Sequence, residues 1–170
     1  MQHTAVIIVD MQEFFLKKFP SKVREEFLAN QRKVIGHCVK NKMPFFLLEY
    51  NAGGIARGTT VPELGRIIGG VSIEKITKES NSGFTNTELD ATLRAMNIKK
   101  IVLMGINANG CVQDTAMGAL RRGYEVITSA KIVASTSRKD LSFSRKNKAW
   151  FSGHLIFFEN PDELMRYFNK

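Results

Sequence analysis

The chain has 170 residues, of which 44% are apolar and 24% charged, with 25 lysines and arginines against 16 aspartates and glutamates. That length supports one domain with its own core, the composition is that of a soluble globular protein, and no apolar run is long enough to span a bilayer. The formal charge of +9 favours anionic partners, but the basic residues are dispersed. Their densest stretch, Arg138 to Lys148, reads as a solvated helix face rather than a nucleic-acid site.

Residues 5–9 (Ala-Val-Ile-Ile-Val) form a continuous apolar run, as in a strand buried on both faces. Phe27, Leu28, Val34, Ile35, Cys38 and Val39 give residues 21–42 the spacing of an amphipathic helix. Pro44 ends it, and Phe45–Leu48 is the second strand. Residues 51–70 are glycine-rich and read as a long loop, a kind of segment that often carries function. A third strand is predicted at 71–77 and a helix at 87–96, with Thr87-x-x-Asp90 as its cap. Ile101–Met104 is the fourth strand, and a helix after Cys111 ends at Arg121-Arg122-Gly123. Tyr124–Thr128, a helix at 139–150, a strand at 154–158 and a helix opening at Pro161 complete the chain. Strands alternate with helices throughout. The expected architecture is therefore one α/β domain over residues 1–170: a three-layer sandwich with a six-stranded parallel sheet of Rossmann-like order and helices on both faces.

In such a sheet the active crevice lies at the carboxyl ends of the strands. The first strand ends at Asp10, the third is followed by Lys78, and the fourth runs through a small-residue turn to Cys111. Each has a plain alternative. Asp10 with Glu13 could form a capping box, Lys78 could be a solvated surface lysine, and Cys111 could be a small core residue, as Cys38 is read to be. Together, an acid, a base and a nucleophile at one sheet edge favour chemistry. A helix N-terminus beside Cys111 would stabilise its thiolate. With two cysteines, no disulfide is expected. His3, His37 and His154 lie in no zinc-binding spacing. Met1-Gln-His-Thr carries no signal-peptide pattern, so the expected compartment is cytoplasmic.

Three separated motifs carry a family resemblance: Val9-Asp-Met-Gln12, then Lys78-Glu-Ser-Asn-Ser-Gly-Phe84 with Thr87 and Leu89, then Gly105–Val112 with Gly123-Tyr124. In these the chain resembles the isochorismatase-like cysteine hydrolases, a superfamily that includes nicotinamidases and carbamoylsarcosine amidohydrolases. The resemblance implies a catalytic triad of Asp10, Lys78 and Cys111. It also implies a cis peptide at Ile106–Asn107 and an oxyanion hole made by the backbone N–H groups of Asn107 and Cys111. Members that hydrolyse vinyl ethers lack the cysteine, so Cys111 implies C–N hydrolysis of a small amide through an acyl-enzyme.

The departures from the family concern the pocket. Nicotinamidases carry an Asp-x-His metal motif after the second strand, where this chain reads Leu48-Glu-Tyr-Asn-Ala-Gly-Gly54. The implied enzyme is therefore metal-independent, needs no cofactor and does not act on nicotinamide. Ser82-Gly83-Phe84, Asn107-Ala108-Asn109 and Lys131 also differ from the usual residues. Phe15, Tyr50, Asn51, Phe84 and Asn109 are the substrate-pocket candidates, with Asn109 readable instead as the cap of the cysteine helix. The resemblance implies a homo-oligomer, dimer or higher, and neither a nucleic-acid nor a membrane partner is expected. The alternatives are a catalytically idle scaffold whose basic surface binds nucleic acid or an acidic partner, and a redox-sensing Cys111.

Overall fold

The computed structural model describes residues 3–55 and 57–169. In chain order its strands are β1 (Thr4–Val9), β2 (Phe45–Tyr50), β3 (Ile73–Lys78), β4 (Lys100–Ile106), β5 (Glu125–Ser129), β6 (Val133–Ala134) and β7 (Ile156–Phe158). The helices are α1 (Glu13–Leu16), α2 (Ser21–Lys40), α3 (Pro62–Gly65), α4 (Leu89–Ala95), α5 (Gln113–Leu120), α6 (Arg145–His154) and α7 (Pro161–Phe168). The strands pair in the order β3-β2-β1-β4-β5-β7, all parallel. The expected six strands form this path, and β6 adds a seventh beside the end of β4. Two residues are too few to show alternation, which is why β6 is invisible in the pattern.

Position in the sheet explains composition. Every residue of β1 is buried, as is every residue of β4 after Lys100, because helices cover both faces of the central strands. Edge strand β3 is exposed along most of its length. Helix α2 buries Phe27, Leu28, Gln31, Val34, Ile35 and Cys38, one stripe at helical spacing. Burying each large apolar side chain of that stripe is worth roughly 1.5–3 kcal/mol.

Three local expectations shift. Residues 51–70 are not one loop: they contain a 3₁₀ turn at Ala52–Gly54 and helix α3. Helix α6 starts at Arg145 rather than 139, because Asp140 Oδ1 accepts from the Ser142 amide at 3.0 Å and Ser144 caps the Asn147 amide at 3.1 Å. Side-chain turns of this kind compete with helix. Glu88 rather than Thr87 holds the cap position of α4: the Thr87 hydroxyl donates to the Gly83 carbonyl and accepts from the Leu89 amide at 3.4 Å, while Asp90 accepts from the Tyr124 hydroxyl at 2.8 Å.

The chain builds β1, β2 and β3 outward in one direction and then crosses back to place β4 on the other side of β1. The switch point therefore lies between β1 and β4, where α/β sheets open a crevice at their carboxyl ends. Asp10 follows β1 and the turn leading to Cys111 follows β4.

Candidate active site

Asp10 sits one residue beyond β1 with φ of +53°, a left-handed backbone that takes its side chain out of the strand's alternation. Its amide is held by the Leu48 carbonyl at 2.9 Å, so the turn is anchored to the end of β2. It caps no helix, and Glu13 pairs with Arg24 instead. Lys78 is the last residue of β3, in register with Tyr50. Its stem crosses the end of β2, and Nζ reaches Asp10 Oδ2 at 3.0 Å. Nζ also donates to the Ser80 carbonyl at 3.2 Å and lies 4.6 Å from the centre of the Tyr50 ring. Both residues are almost wholly buried, at 2% and 1% exposure. Asp10 Oδ1 is also buried and meets no hydrogen-bond partner within bonding distance among the described residues, although the Cys111 thiol is near enough to act on the carboxylate. Burial pushes the Asp10 carboxyl above its ordinary value, against the opposing pull of Lys78 and of the Cys111 thiol.

The turn that presents Cys111 depends on Gly105. A side chain there would bring a Cβ to 2.1 Å from the Val9 carbonyl oxygen, and the residue's φ is +130°. Only glycine lets β4 pass so close to β1. The Ile106–Asn107 peptide is cis. A π-helical turn at Ala108–Val112 then leads into α5, with the Asn107 carbonyl accepting from the Gly110 and Val112 amides at 3.1 and 3.0 Å. The Asn107 side chain is fixed from outside: its Oδ1 accepts from the Thr136 amide and hydroxyl at 2.8 and 2.9 Å.

Cys111 is half-buried, and its Sγ lies 3.7 Å from Asn81 Oδ1. Desolvation and, after it, the Asp10 charge together push the thiol up to about 12 against the opposing pull of Lys78. Burial and the neighbouring Asp10 charge thus act against the thiolate that the helix terminus would favour.

The pocket candidates divide. Phe15 and Tyr50 are half-buried neighbours with ring centres 6.4 Å apart. Asn51 donates its amide to the Lys78 carbonyl at 3.0 Å and accepts from the Arg57 amide at 2.8 Å. Phe84 belongs to the core, stacked on Tyr124 and covered by Arg122. Asn109 is exposed and accepts from the Ser135 hydroxyl at 3.1 Å without capping the cysteine helix.

Sequence reasoning passed over three residues at the site. Asn81 touches the sulfur. Gln12, fully buried, donates to the Tyr50 and Gly58 carbonyls at 3.2 and 2.7 Å and accepts from the Tyr50 amide at 2.8 Å, clamping the segment after β2 over the site. Arg57 lies in that segment, with its guanidinium 4.9 Å from the Tyr50 ring centre. Glu49 helps hold the same segment by accepting from the Thr60 amide at 2.7 Å. An open cleft of about 700 Å³ starts at Tyr50, Ser80 and Asn81 and runs along α5 to Arg121 and Arg122. Among the described residues no three His, Cys, Asp or Glu side chains gather as a metal site, and no helix is long and apolar enough to cross a membrane.

The isochorismatase domain matches residues 4–154 of this chain. The chain belongs to the isochorismatase family. Isochorismatase domain-containing protein 2 of Xenopus laevis is 32% identical over 145 residues, covering 83% of this chain and 65% of that protein, just under two thirds of its length. Nicotinamidase 3 of Arabidopsis thaliana is 24% identical over 95% of this chain and 87% of its own. The fold is that of a cysteine hydrolase from Pseudomonas syringae pv. phaseolicola, with a TM-score of 0.80 at 21% identity over 99% of this chain and 93% of that one. The isochorismatase fold thus accounts for the sheet order and for the crevice at its switch point.

Proposed function

We propose that this member of the isochorismatase family hydrolyses a C–N bond of a small amide through an acyl-enzyme on Cys111, without a metal. One observation carries the reading: a buried carboxylate oxygen, Asp10 Oδ1, meets no hydrogen-bond partner within bonding distance among the described residues, and the Cys111 thiol is near enough to act on it. A buried acceptor left unpaired costs roughly 1–3 kcal/mol. Here it is explained by the proton it receives in the reaction. The thiol proton of Cys111 passes to Asp10 as sulfur bonds to the carbonyl carbon. Lys78 favours the ionised form of Asp10 against the effect of burial, and after the transfer it faces a neutral acid. The backbone N–H groups of Asn107 and Cys111 receive the oxyanion, a role typically worth about 2.7–4 kcal/mol per donor. Collapse breaks the C–N bond, and Asp10 returns its proton to the leaving nitrogen. Water then attacks the thioester with Asp10 as base, and the acid and the free thiol are released. The family supports a hydrolase, and amidases among its members support the bond type.

The test is ammonia release from a panel of primary amides and N-carbamoyl compounds. Wild type should turn over at least one member, and Cys111→Ala and Asp10→Asn should not. Release by Cys111→Ala at the wild-type rate, or none by wild type across the panel, overturns the proposal.

A further inference from the structure

Positive charge gathers at the mouth of this site around aromatic rings. The Tyr50 ring carries two cations, Lys78 Nζ at 4.6 Å and the Arg57 guanidinium at 4.9 Å from its centre. The adjoining Phe14 ring carries Arg57 at 5.4 Å, Lys17 at 5.3 Å and Lys18 at 5.2 Å. Among the described residues none of Lys17, Lys18 and Arg57 has a salt-bridge partner, whereas Arg24 and Lys78 do. Three acidic groups near them are committed, while Glu79 and Asp114 line the cleft without a salt bridge among the described residues. Asp10 is paired with Lys78, Glu13 with Arg24, and Glu49 accepts the Thr60 amide.

Arg57 is held firmly for a loop residue. Its amide donates to Asn51 Oδ1 at 2.8 Å, and its Nη1 donates to the Ala52 and Ile55 carbonyls at 3.1 and 3.3 Å. The next residue, Gly58, is clamped by Gln12. Nη1 is thus spent on fixing the group, while among the described residues no acceptor meets Nε or Nη2. Those two N–H groups form one edge of the guanidinium, the edge that matches both oxygens of a carboxylate. The charge of Arg57 also acts on Asp10, which places it within electrostatic reach of the reacting groups.

We propose that Arg57 is a specificity-determining residue whose Nε–Nη2 edge takes the carboxylate of the substrate, so that the amide hydrolysed is an anionic one. This rests on the acyl-transfer reading for the identity of the bond cleaved, but not for the recognition itself. Lys17 and Lys18 add a longer-range attraction that salt screens. A single hydrogen-bonded charge contact is worth ~1.5–3 kcal/mol, which corresponds to roughly 10–150-fold in selectivity.

Two alkylating probes test it independently of turnover. Iodoacetate and iodoacetamide both react with the Cys111 sulfur, forming an S–CH₂ bond and expelling iodide. They differ only in carrying a carboxylate or a neutral amide. The readout is the ratio of their second-order rate constants at Cys111, located by peptide mass spectrometry, so a general change in thiol reactivity cancels. Arg57→Gln should lower the iodoacetate-to-iodoacetamide ratio at least tenfold. Arg57→Lys, which keeps the charge but not the edge, should fall between. Lys17→Gln/Lys18→Gln should lower it less, and only at low salt. A ratio within twofold of wild type in Arg57→Gln overturns the proposal, as does an equal loss in Arg57→Lys. If the ratio falls as stated and no amide is turned over, the acyl-transfer reading fails alone. If amides are hydrolysed and the ratio does not move, the anionic specificity fails alone.

Discussion

Lys78→Met removes the cation bonded to the buried Asp10 carboxylate. Asp10 is 2% exposed, its Oδ2 is held by Lys78 Nζ at 3.0 Å, and its Oδ1 has no partner among the described residues. Without Lys78 the carboxylate is left uncompensated in the protein interior, a loss that costs about 3–5 kcal/mol. At a urea slope of about 2 kcal/mol/M the unfolding midpoint should fall by roughly 1.5–2.5 M at neutral pH. Two further results follow from the same cause. The loss should shrink at low pH, where Asp10 binds a proton and needs no counter-charge. The double variant Lys78→Met/Asp10→Asn should recover most of it, because replacing both members of a buried pair is often neutral or stabilising. Both variants should be inactive, because the proposed proton transfer runs through this pair. Chemical denaturation at several pH values, followed by circular dichroism, measures all of this. A single variant with a midpoint within about 0.3 M of wild type, or a double variant no better than the single one, refutes the reasoning.

The raised pKa of Asp10 and of Cys111 fixes the direction of the pH dependence. The unfolded chain loses the Asp10 proton near its ordinary 3.8 while the folded chain keeps it to higher pH. Stability therefore falls as pH rises through that window, and Asp10→Asn should abolish this part of the urea–pH profile. The same sign holds for Cys111 between the ordinary 9.0 and about 12, so Cys111→Ala should flatten the alkaline loss measured by urea unfolding. The acid limb of a kcat/KM profile should lie above the ordinary carboxylate range, and a limb at or below 3.8 contradicts the assignment of Asp10 as base. Gly105→Ala should cost about 1–3 kcal/mol in backbone strain and roughly as much again in overlap with the Val9 carbonyl, read as a fallen melting temperature. Gln12→Ala removes three hydrogen bonds to the Tyr50 and Gly58 backbone, each worth about 0.5–1.5 kcal/mol, and should open the segment around Arg57 to faster amide exchange.

What could be read from sequence follows from how strongly each feature repeats. β1 and β4 announce themselves because both faces are buried and every position is apolar. Two-residue β6 has no pattern to read, and the basic run after Arg138 looks helical although Asp140 and Ser142 tie it into a turn. Asp10, Lys78 and Cys111 stand out because each follows a legible strand, and strand ends converge by topology. Gln12, Asn81 and Arg57 do not stand out. Their roles depend on single hydrogen bonds or ring contacts to residues far away in the chain, such as Gln12 to Tyr50 and Asn81 to Cys111. The direction of the Cys111 shift is hidden in sequence for a similar reason: the helix terminus is visible locally, whereas the depth of burial and the Asp10 charge come from the fold.

Reaction with p-nitrophenyl acetate probes the acyl-transfer site without knowledge of the natural amide. The account predicts a burst of p-nitrophenolate equal to one per chain and an acetyl group on Cys111 in the intact protein's peptide map. Neither should occur in Asp10→Asn or Cys111→Ala. An absent burst, or acetylation that spares Cys111 and is unchanged by either substitution, contradicts it.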